Sequence, residues 1–380
     1  MKTHVLSIGY GRNLFTENDP ERIRLRMCAE QVASLHMIVF SGRAHNLTVT
    51  SVSEKYTLHP THSLFRVGMI FDAVKAGLRV MRQYPASTEW TISAQDPLAA
   101  GIAGFILKII TRRPLLIQEH GDIFSGSYWR NERLGNKVWY GVASFLIRHA
   151  DRVRVVSNRV RDHVMSVGVS EEKIVSLPVY TDVAAWRESQ IKVDLKALYP
   201  DASVIILSMA RLVPQKNLTM LVRAFAKLHA TDPRALLILV GRGEEEGTIA
   251  YEIKRQSLGN SVVCMPWTEN PSSLMKTADI YALSSNYEGW GRVLIEAMLS
   301  GLPIVTTEVG CAGECIVDGV HGYIIPVQDE KAFAEALIKL SQNPGARVRF
   351  KANEKRDSEH VFPNHVLYAR AWARTHEWNI

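Results

Sequence analysis

The chain alternates short apolar runs with longer segments in which apolar residues recur every three to four positions. Short apolar runs are typical of buried strands, and the three-to-four spacing is typical of amphipathic helices. In the first half, strands are predicted at Val5–Ile8, Met37–Phe40, Thr48–Val52, Thr91–Ala94, Leu115–Gln118 and Arg152–Val156. Helices are predicted between them at Pro20–Leu35, Phe65–Gln83, Leu98–Ile110, Asn131–His149 and Asn158–Val167.

The second half repeats this alternation. Strands are predicted at Val204–Met209, Ala235–Val240, Val262–Met265, Ile280–Leu283, Pro303–Thr306 and Tyr323–Ile325. Helices are predicted at Leu218–Ala230, Glu246–Gln256, Pro271–Lys276, Val293–Leu299 and Glu330–Leu340. A repeated strand–helix–strand order indicates parallel sheets with helices on both faces. The sequence therefore predicts an α/β protein built from two doubly wound domains.

A seam separates the two halves. The segment Leu177–Asp182 and the polar stretch up to Pro200 lack strand patterns, and a new buried strand then begins at Val204. We therefore predict an N-terminal domain at 1–185 and a C-terminal domain at 186–362. The tail at 363–380 has a helical pattern, and its tryptophans Trp372 and Trp378 favour packing back onto the first domain.

Composition narrows the class of protein. Of 380 residues, 47% are hydrophobic and 22% are charged, which is typical of a soluble globular protein. Met1–His4 leads directly into a strand pattern, so no signal peptide is expected, and no apolar run reaches the ~18 residues of a membrane span. The four cysteines suggest neither a disulfide framework nor a zinc site, and we expect a cytoplasmic protein.

The net charge of +7 is unevenly distributed. Residues 1–185 carry 23 Lys and Arg against 16 Asp and Glu, whereas residues 186–380 carry 22 of each. Within the basic half, the segment Leu64–Gln83 combines apolar residues with four cations at helical spacing. Two interpretations stay open here: a surface helix that lies on an anionic membrane, and a core helix with one solvated basic face.

Loops at the carboxyl ends of strands are where doubly wound sheets bind ligands. The first such loop, Gly9-Tyr10-Gly11-Arg12, lacks a complete G-x-G-x-x-G, and no acidic residue ends the second strand, so dinucleotide binding is not expected. The strand Leu115–Gln118 is followed by Glu119 and His120. A histidine at a strand tip is either a structural hydrogen-bonding group or a ligand contact.

The second half carries the more specific pattern. Arg211 and Lys216 flank a turn at a helix entrance, where two cations suit two phosphates. The strand-to-helix turn Gly241–Gly243 is open enough for a nucleoside to approach. Glu288 precedes the turn Gly289-Trp290-Gly291, and Glu296 lies in the helix that follows. A helix N-terminus favours anions, so this segment can bind a diphosphate through backbone amides and sugar hydroxyls through carboxylates.

With these motifs in place, the chain resembles the retaining glycosyltransferases of family 4, also called glycosyl transferases group 1. The resemblance covers nearly the whole chain and is strongest from Leu207 to Pro326. It is carried by Arg211 with Lys216, by the turn at Gly241, and by the run from Ser284 to Glu296. The segments Ser300–Val305 and Asp318–Tyr323 complete it. The resemblance implies the GT-B fold, in which two Rossmann-like domains face each other across a cleft.

The resemblance also implies roles for residues. Arg211 and Lys216 would bind the donor diphosphate, Glu296 the ribose hydroxyls, and Glu288 the hydroxyls of the reacting sugar. The backbone amides of Gly291, Arg292 and Val293 would meet the sugar and phosphate oxygens. Gly289, Trp290, Gly241 and Gly243 would also line the donor, with the Gly241–Gly243 turn at its base or ribose. From the first domain, His120 would face the donor sugar and Gly11 would lie beside the diphosphate, although this first loop is shorter than the family's.

The sequence contains no Asp-x-Asp, the pair through which metal-dependent glycosyltransferases commonly hold the diphosphate. We therefore expect no metal and no other cofactor, and we expect the cations and a helix N-terminus to stabilise the leaving group. Retention at the anomeric carbon proceeds either through a covalent intermediate on Glu288 or by same-face attack. We favour same-face attack because Glu288 lies at a tight glycine turn.

The expected enzyme is a hexosyl- or N-acetylhexosaminyltransferase that uses a nucleotide-diphosphate sugar, with UDP-sugars favoured. The acceptor would be a saccharide or a lipid-linked saccharide, and the basic half gives a route to the inner face of the cell membrane. Three other classes stay open: a nucleotide-sugar epimerase, a polynucleotide-binding or -modifying protein, and a non-catalytic sugar-binding regulator. Nucleic acid is not an expected partner, since no aromatic-basic reading motif is present.

Overall fold

The computed structural model describes residues 2–358 and 364–378. It contains the two α/β sheets that the hydrophobic pattern predicts, one in each of two compact units, and both are parallel except for one antiparallel edge pair in the first unit. The first unit comprises Met1–Tyr180 with Asn364–Ile380, and the second comprises Thr181–Pro363. The division falls a few residues before the predicted boundary at 185, because Asp182 caps the first helix of the second unit through its side chain, which accepts from the Ala185 amide.

The first unit has an eight-stranded sheet with the order β3-β4-β2-β1-β5-β6-β7-β8. Its strands are β1 His4–Gly9, β2 Ser34–Val39, β3 Thr50–Ser53, β4 Tyr56–Pro60, β5 Trp90–Ala94, β6 Leu115–Glu119, β7 Arg152–Val155 and β8 Ile174–Ser176. Its helices are α1 Pro20–Ala29, α2 Gly68–Met81, α3 Ala99–Thr111, α4 Tyr128–Glu132, α5 Asn136–Arg148, α6 Asn158–Ser166 and the late α15 His365–Thr375.

The second unit has a six-stranded sheet with the order β11-β10-β9-β12-β13-β14, in which every pairing is parallel. Its strands are β9 Val204–Met209, β10 Ala235–Val240, β11 Val262–Met265, β12 Ile280–Leu283, β13 Ile304–Thr307 and β14 Gly322–Ile325. Its helices are α7 Val183–Glu188, α8 Leu195–Leu198, α9 Leu218–Thr231, α10 Glu246–Arg255, α11 Pro271–Thr277, α12 Arg292–Leu299, α13 Glu330–Ser341 and α14 Pro344–Asp357.

The central strands β9 and β10 explain why the second unit was the easier half to predict. Every residue of both strands is buried, so β10 appears in the sequence as an unbroken apolar run and β9 as an apolar run interrupted only by Ser208. Helices α9 and α13 cover one side of this sheet with Leu221, Phe225, Phe333 and Leu337, all of which are fully buried. This sheet fixes the carboxyl ends of β9, β10 and β12 at one edge, where the candidate site lies.

The turn after β10 is pressed against the turn after β9. The Ala210 amide donates to the Val240 carbonyl at 3.0 Å, and the Leu212 amide donates to the Arg242 carbonyl at 2.9 Å. A Cβ atom at Gly241, where φ is +151°, would lie 1.9 Å from the Ala210 carbonyl oxygen. A Cβ atom at Gly243 would lie 2.1 Å from the Leu212 carbonyl oxygen. Glycine is therefore required because the two backbones touch.

The end of the described chain is fastened to the first sheet. The Thr91 hydroxyl donates to the His376 carbonyl at 2.8 Å, and the Trp378 indole N–H donates to the Thr91 hydroxyl at 2.7 Å. Arg152 donates to the Glu377 carbonyl at 2.7 Å. Helix α15 corresponds to the predicted tail helix at 363–380, of which residues 363 and 379–380 lie outside the described residues. A late helix thus completes the first unit.

A group of aromatic and imidazole rings lies beside β1 and β2. His36 Nδ1 lies 3.1 Å from His59 Nε2, and His36 Nε2 lies 2.9 Å from the Tyr84 hydroxyl. The ring of Trp90 stacks at a tilt on His36 with centroids 5.8 Å apart. Burial lowers the pKa of His36 and of His59 to about 4 each. Both rings are therefore neutral at pH 7, and one must donate to the other.

Several predicted elements of the first unit are wrong in extent. The predicted helix Pro20–Leu35 ends at Ala29, because the following residues turn into β2. The predicted helix Asn131–His149 is divided into α4 and α5 by Arg133, whose backbone is extended. Strands β4 and β8 were not predicted. Strand β4 alternates buried and half-exposed residues and is only five residues long, which gives a weak pattern.

In the second unit, helix α14 was not predicted. It is rich in charged residues and buries only Ala346, Phe350 and Glu354, so it has no continuous apolar face to detect. Among the described residues, no helix is long and apolar enough to cross a membrane.

We predict that the His36–His59 pair makes the first unit sensitive to acid. Because the folded-state pKa values lie below the unfolded value of about 6.5, the folded state binds fewer protons. The stability that this pair contributes is present above pH 6.5 and is lost as the pH falls towards 4. The free energy of unfolding, measured in urea, should fall between pH 6.5 and 4.5 by roughly 1–3 kcal/mol less in His36→Gln than in wild type. An equal fall in wild type, in His36→Gln and in the exposed control His365→Gln would contradict this assignment.

We predict that Gly241 tolerates no side chain. Gly241→Ala should lower the free energy of unfolding by roughly 2–4 kcal/mol, because its Cβ atom would overlap the Ala210 carbonyl and because alanine disfavours a positive φ. The matched control is Gly247→Ala in α10, where a new Cβ atom meets nothing within 4 Å. That variant should gain about 0.5–1 kcal/mol from helix propensity. Similar stabilities of the two variants in urea would be inconsistent with the close backbone approach.

Candidate functional site

Two loops of the second unit, one after β9 and one after β12, are joined by hydrogen bonds. These strands are neighbours in the sheet, so their carboxyl ends lie side by side. The Asn286 amide donates to the Gln215 carbonyl at 2.8 Å, and the Gln215 side chain donates to the Tyr287 carbonyl at 2.9 Å. The Ser284 hydroxyl donates to the Lys216 carbonyl at 2.8 Å. The two predicted motifs are thus held together as one structure.

Lys216 and Glu288 form an ion pair at the centre of this structure. The Lys216 ammonium contacts Glu288 Oε1, and the Ser285 hydroxyl donates to the same oxygen at 2.7 Å. The two charged side chains are only 12% and 10% exposed. Because little water reaches the pair, its charges interact more strongly than a surface pair would. The arrangement offers a fixed cation beside a fixed carboxylate.

The turn Gly289-Trp290-Gly291 connects Glu288 to α12. Gly291 precedes the helix with φ of +71°, a conformation that favours glycine, and a Cβ atom there would lie 4.0 Å from the Glu288 Cβ atom. The Trp290 side chain is buried, and its carbonyl accepts from the Cys311 amide at 2.9 Å. Trp290 can therefore offer a ligand its backbone and not its indole ring. Gly289 is likewise buried.

Helix α12 begins with Arg292 and Val293 and carries Glu296 about one turn beyond its start. Arg292 Nε lies 3.0 Å from Glu296 Oε1, at the i,i+4 spacing of neighbours on one helix face. Burial raises the pKa of Glu296, and Arg292 opposes that rise. Burial also raises the pKa of Tyr281 in β12, and the nearby carboxylates of Glu296 and Glu288 raise it further. Both carboxylates therefore lie near the end of β12.

Arg211 is exposed at the tip of β9, five positions before Lys216. Its loop is the one that Gly241 and Gly243 contact through backbone, as described above. The predicted cations and the predicted glycine turn thus belong to two loops in direct contact. The second unit accordingly brings together Arg211, Lys216, the glycine turn and the segment from Glu288 to Glu296 at one edge of one sheet.

His120 and Gly11 belong to the first unit, so they are described separately. His120 Nε2 lies 3.1 Å from Gln118 Oε1, and that oxygen also accepts from Arg154 at 2.7 Å. Desolvation by the surrounding protein lowers the pKa of His120, and the charge of Arg154 lowers it further. An ordinary histidine pKa is already near 6.5, so any lowering keeps this imidazole neutral at pH 7, although part of the side chain reaches solvent. Gly11 has φ of +142° and precedes the single turn Arg12–Phe15.

Glu119 is a buried carboxyl next to His120. Its Oε1 accepts from the Gly121 amide at 2.8 Å, whereas its buried Oε2 has no hydrogen-bond partner. Burial raises the pKa of Glu119 to about 7. Three residues after Glu119, Asp122 has a left-handed backbone with φ of +57°. Its Oδ1 atom lies 2.8 Å from His163 Nδ1. Both groups hold the loop that presents His120.

The sequence did not single out Ser285, Gln215 or Gln118, which position the predicted residues. Ser285 and Gln215 each lie within three residues of a predicted site residue, but a polar side chain in a loop gives no sign of its partner. Their roles depend on which strands are neighbours, and β9 and β12 are separated by two other strands in the sequence. Among the described residues, no group of three or more His, Cys, Asp or Glu side chains is arranged to hold a metal ion.

Two family models match the chain. Residues 193–357 match the model described as glycosyl transferases group 1. Residues 49–184 match the model described as glycosyltransferase family 4. Together the two models cover most of both structural units, and the segment from Arg211 to Glu296 lies within the first of them.

Curated relatives match part of the chain. A poly(glycerol-phosphate) alpha-glucosyltransferase from Bacillus subtilis is 30% identical over 41% of this chain and 24% of its own length. An N-acetyl-alpha-D-glucosaminyl L-malate synthase from Bacillus anthracis is 32% identical over 42% of this chain and 44% of its own length. The chain thus spans less than half the length of these two relatives.

A solved structure matches almost the whole chain. HepE from Anabaena, crystallised in complex with UDP and glucose, is 20% identical and covers 98% of this chain and 99% of its own, with a TM-score of 0.77. At this identity the likeness shows the fold, which is the predicted GT-B class with two Rossmann-like sheets. The two family models and this fold agree with the geometry at β9 and β12: the chain belongs to the glycosyltransferases of group 1, family 4.

Proposed function

We propose that the protein transfers a sugar from a nucleotide-diphosphate sugar to a saccharide or lipid-linked saccharide, with retention and without a metal ion. The observation that most supports this proposal is that hydrogen bonds join the loops after β9 and β12 in the second unit. One loop supplies Arg211 and Lys216, and the other supplies Glu288 and the start of α12. Cations and backbone amides on one side, with carboxylates beside them, match a ligand that has a diphosphate and two hydroxyl-bearing rings.

Each residue has a proposed role. Arg211 and Lys216 bind the diphosphate and offset the charge that develops on it as the glycosidic bond breaks. Glu296 accepts hydrogen bonds from the ribose, and Glu288 accepts them from the sugar. The neutral imidazole of His120 contacts the donor sugar, and Gly11 lies by the diphosphate. Attack on the same face, with a donor phosphate oxygen taking the acceptor proton, requires no protein base.

The donor we favour is a UDP-sugar. HepE, which shares the fold, is described in complex with UDP and glucose. The names of the curated relatives include an alpha-glucosyltransferase and an N-acetyl-alpha-D-glucosaminyl L-malate synthase. These names support a hexosyl- or N-acetylhexosaminyltransferase. The excess basic charge of residues 1–185 supports action in the cytoplasm at the inner face of the membrane.

We predict that Lys216→Met lowers kcat/KM by about 10²–10³-fold, the usual cost of removing one preorganised group that stabilises transition-state charge. The measurement is release of nucleotide diphosphate from a panel of UDP-, GDP- and ADP-sugars with simple saccharide acceptors. The matched control is Lys227→Met on α9, a half-exposed lysine whose ammonium pairs with Glu330 of α13. That control should retain wild-type rates.

Lys216→Met also leaves the buried Glu288 without its cation, so reduced folding could mimic reduced catalysis. The double variant Lys216→Met with Glu288→Gln removes both charges and should recover the thermal stability of wild type without recovering activity.

Glu296→Gln should mainly raise KM for the donor. Wild-type kinetics in either Lys216→Met or Glu296→Gln would refute the proposed site.

We predict that chelation leaves activity intact. With Arg211 and Lys216 stabilising the diphosphate, nucleotide release in excess EDTA should stay within about twofold of the untreated rate. Abolition by EDTA and recovery with Mg²⁺ or Mn²⁺ would contradict the metal-free part of the proposal. Inversion at the anomeric carbon of the product would contradict the stereochemical part.

A further inference from the structure

The first unit contains a groove that has no part in the donor chemistry above. It is a cavity of about 640 Å³ between helix α2 and the loops that follow β2 and β4. One wall is formed by a face of α2 that includes Phe71, Lys75 and Arg79, spaced by one helical turn each. The opposite wall includes Arg43 and His62. Its volume lies within the range of ligand sites of drug-like size.

One end of this groove is apolar and open to solvent. Leu64, Phe65 and Phe71 line it and expose 69%, 65% and 58% of their surface. Val67, next to them, is 66% exposed. Large apolar side chains gathered in a single exposed patch usually mark a binding surface, since leaving them in water is unfavourable. The patch includes the segment Leu64–Val67, which immediately precedes α2 and was predicted as helix from Phe65.

The groove is also cationic. Arg43, Lys75 and Arg79 line it, and the only acidic residue among those that line it is Asp72, which lies 3.9 Å from Lys75. Lys75 is 75% exposed, so this contact is a weak surface pair. Arg43 Nε donates to the His62 carbonyl at 3.4 Å, which directs its side chain along the groove wall. Three cations against one carboxylate leave a positive excess beside an apolar end.

We propose that this groove binds the phosphate-bearing end of a membrane lipid, with the phosphate at Arg43, Lys75 and Arg79 and the first methylenes against Phe65 and Phe71. A free sugar leaves the apolar end of the groove uncovered, and a purely apolar ligand leaves its cations without an anionic partner. An anionic headgroup joined to a hydrocarbon chain satisfies both halves at once. The chain of such a lipid leaves through the apolar end, where the exposed side chains enter the membrane.

This inference deepens the proposed function, on which it rests: the acceptor is a saccharide carried on a lipid phosphate, and the groove is where its lipid phosphate is held. The saccharide extends from the lipid phosphate, and the groove holds that phosphate in place. The groove then accounts for both interpretations of Leu64–Gln83. The buried face of α2, with Ala73, Val74, Gly77 and Val80, is core, and the opposite face is the lipid site.

The test is isothermal titration of the full chain with dihexanoyl phosphatidic acid below its critical micelle concentration. Dihexanoyl phosphatidylcholine and inorganic phosphate are titrated in parallel. Phosphatidic acid should bind at least about tenfold more tightly than either, since of the three it alone combines acyl chains with a headgroup of net negative charge. Equal binding of inorganic phosphate would overturn the lipid and leave a free-anion site. Equal binding of phosphatidylcholine would overturn the role of the cations.

Variants locate the binding. Lys75→Gln with Arg79→Gln, and separately Phe71→Ser, should each weaken phosphatidic acid binding by about tenfold or more. The matched control is Arg26→Gln, an exposed cation of α1 in the same unit. A loss in the Arg26 variant equal to that in the double variant would show attraction to net charge alone and overturn the site. Unchanged binding in the Phe71 and Lys75–Arg79 variants would overturn it as well.

The two proposals fail separately. Hydrolysis of the donor, in which water takes the sugar and nucleotide diphosphate is released, should proceed at the same rate in the groove variants and in wild type, because the groove has no part in donor binding. If wild type binds phosphatidic acid but neither hydrolyses any donor nor releases nucleotide diphosphate with any saccharide acceptor, the proposed transferase fails and the lipid site stands. If it releases nucleotide but does not bind the lipid, the groove assignment fails and the transferase stands.

Discussion

The candidate site depends on the contact between the loops that follow β9 and β12. These strands are adjacent because the sheet order reverses at this point, with β10 and β11 on one side of β9 and β12 with its successors on the other. Such a switch point opens a crevice between loops that run in opposite directions. Here the crevice is closed at its base by the hydrogen bonds of Gln215, Asn286 and Ser284. Everything proposed for Lys216 and Glu288 follows from this adjacency.

A second polar centre organises the first unit. Arg154 is 3% exposed and donates to Gln118, to the Tyr368 hydroxyl and to the Leu177 carbonyl. A buried guanidinium is costly unless its donors are satisfied, and these partners come from β6, α15 and the end of the unit's main segment. Because Gln118 also contacts His120, the same network that secures the late helix α15 orients the candidate ligand-binding imidazole. Folding of the late helix and geometry of the candidate site are thus coupled within one unit.

The sequence predicted much of the fold and the residue types of the site, but not the contacts between them. Strands β9, β10 and β12 were predicted with correct bounds because all of their residues are buried and nearly all are apolar. Strand β11 was predicted with correct bounds from its short apolar run, although only Val262 in it is buried. Helix α14 and strand β4 were missed because their burial is partial. Lys216 and Glu288 were each identified, yet their ion pair was not, since it depends on strand order. The groove at α2 was not foreseen as a cavity, because Arg43 and His62 come from loops distant in sequence.

Within the proposed function, the Lys216–Glu288 ion pair helps to decide between a covalent intermediate on Glu288 and same-face attack. A carboxylate that attacks the anomeric carbon needs an available lone pair and little competing stabilisation of its charge. Glu288 Oε1 already accepts from the Lys216 ammonium and the Ser285 hydroxyl, and both would have to be given up or weakened by attack through that oxygen. The same contacts benefit a residue that only orients a sugar, since they fix the carboxylate at low entropic cost. Lys216 can then serve a donor phosphate and Glu288 together. Within the proposed function, this arrangement supports same-face attack with Glu288 positioning the sugar.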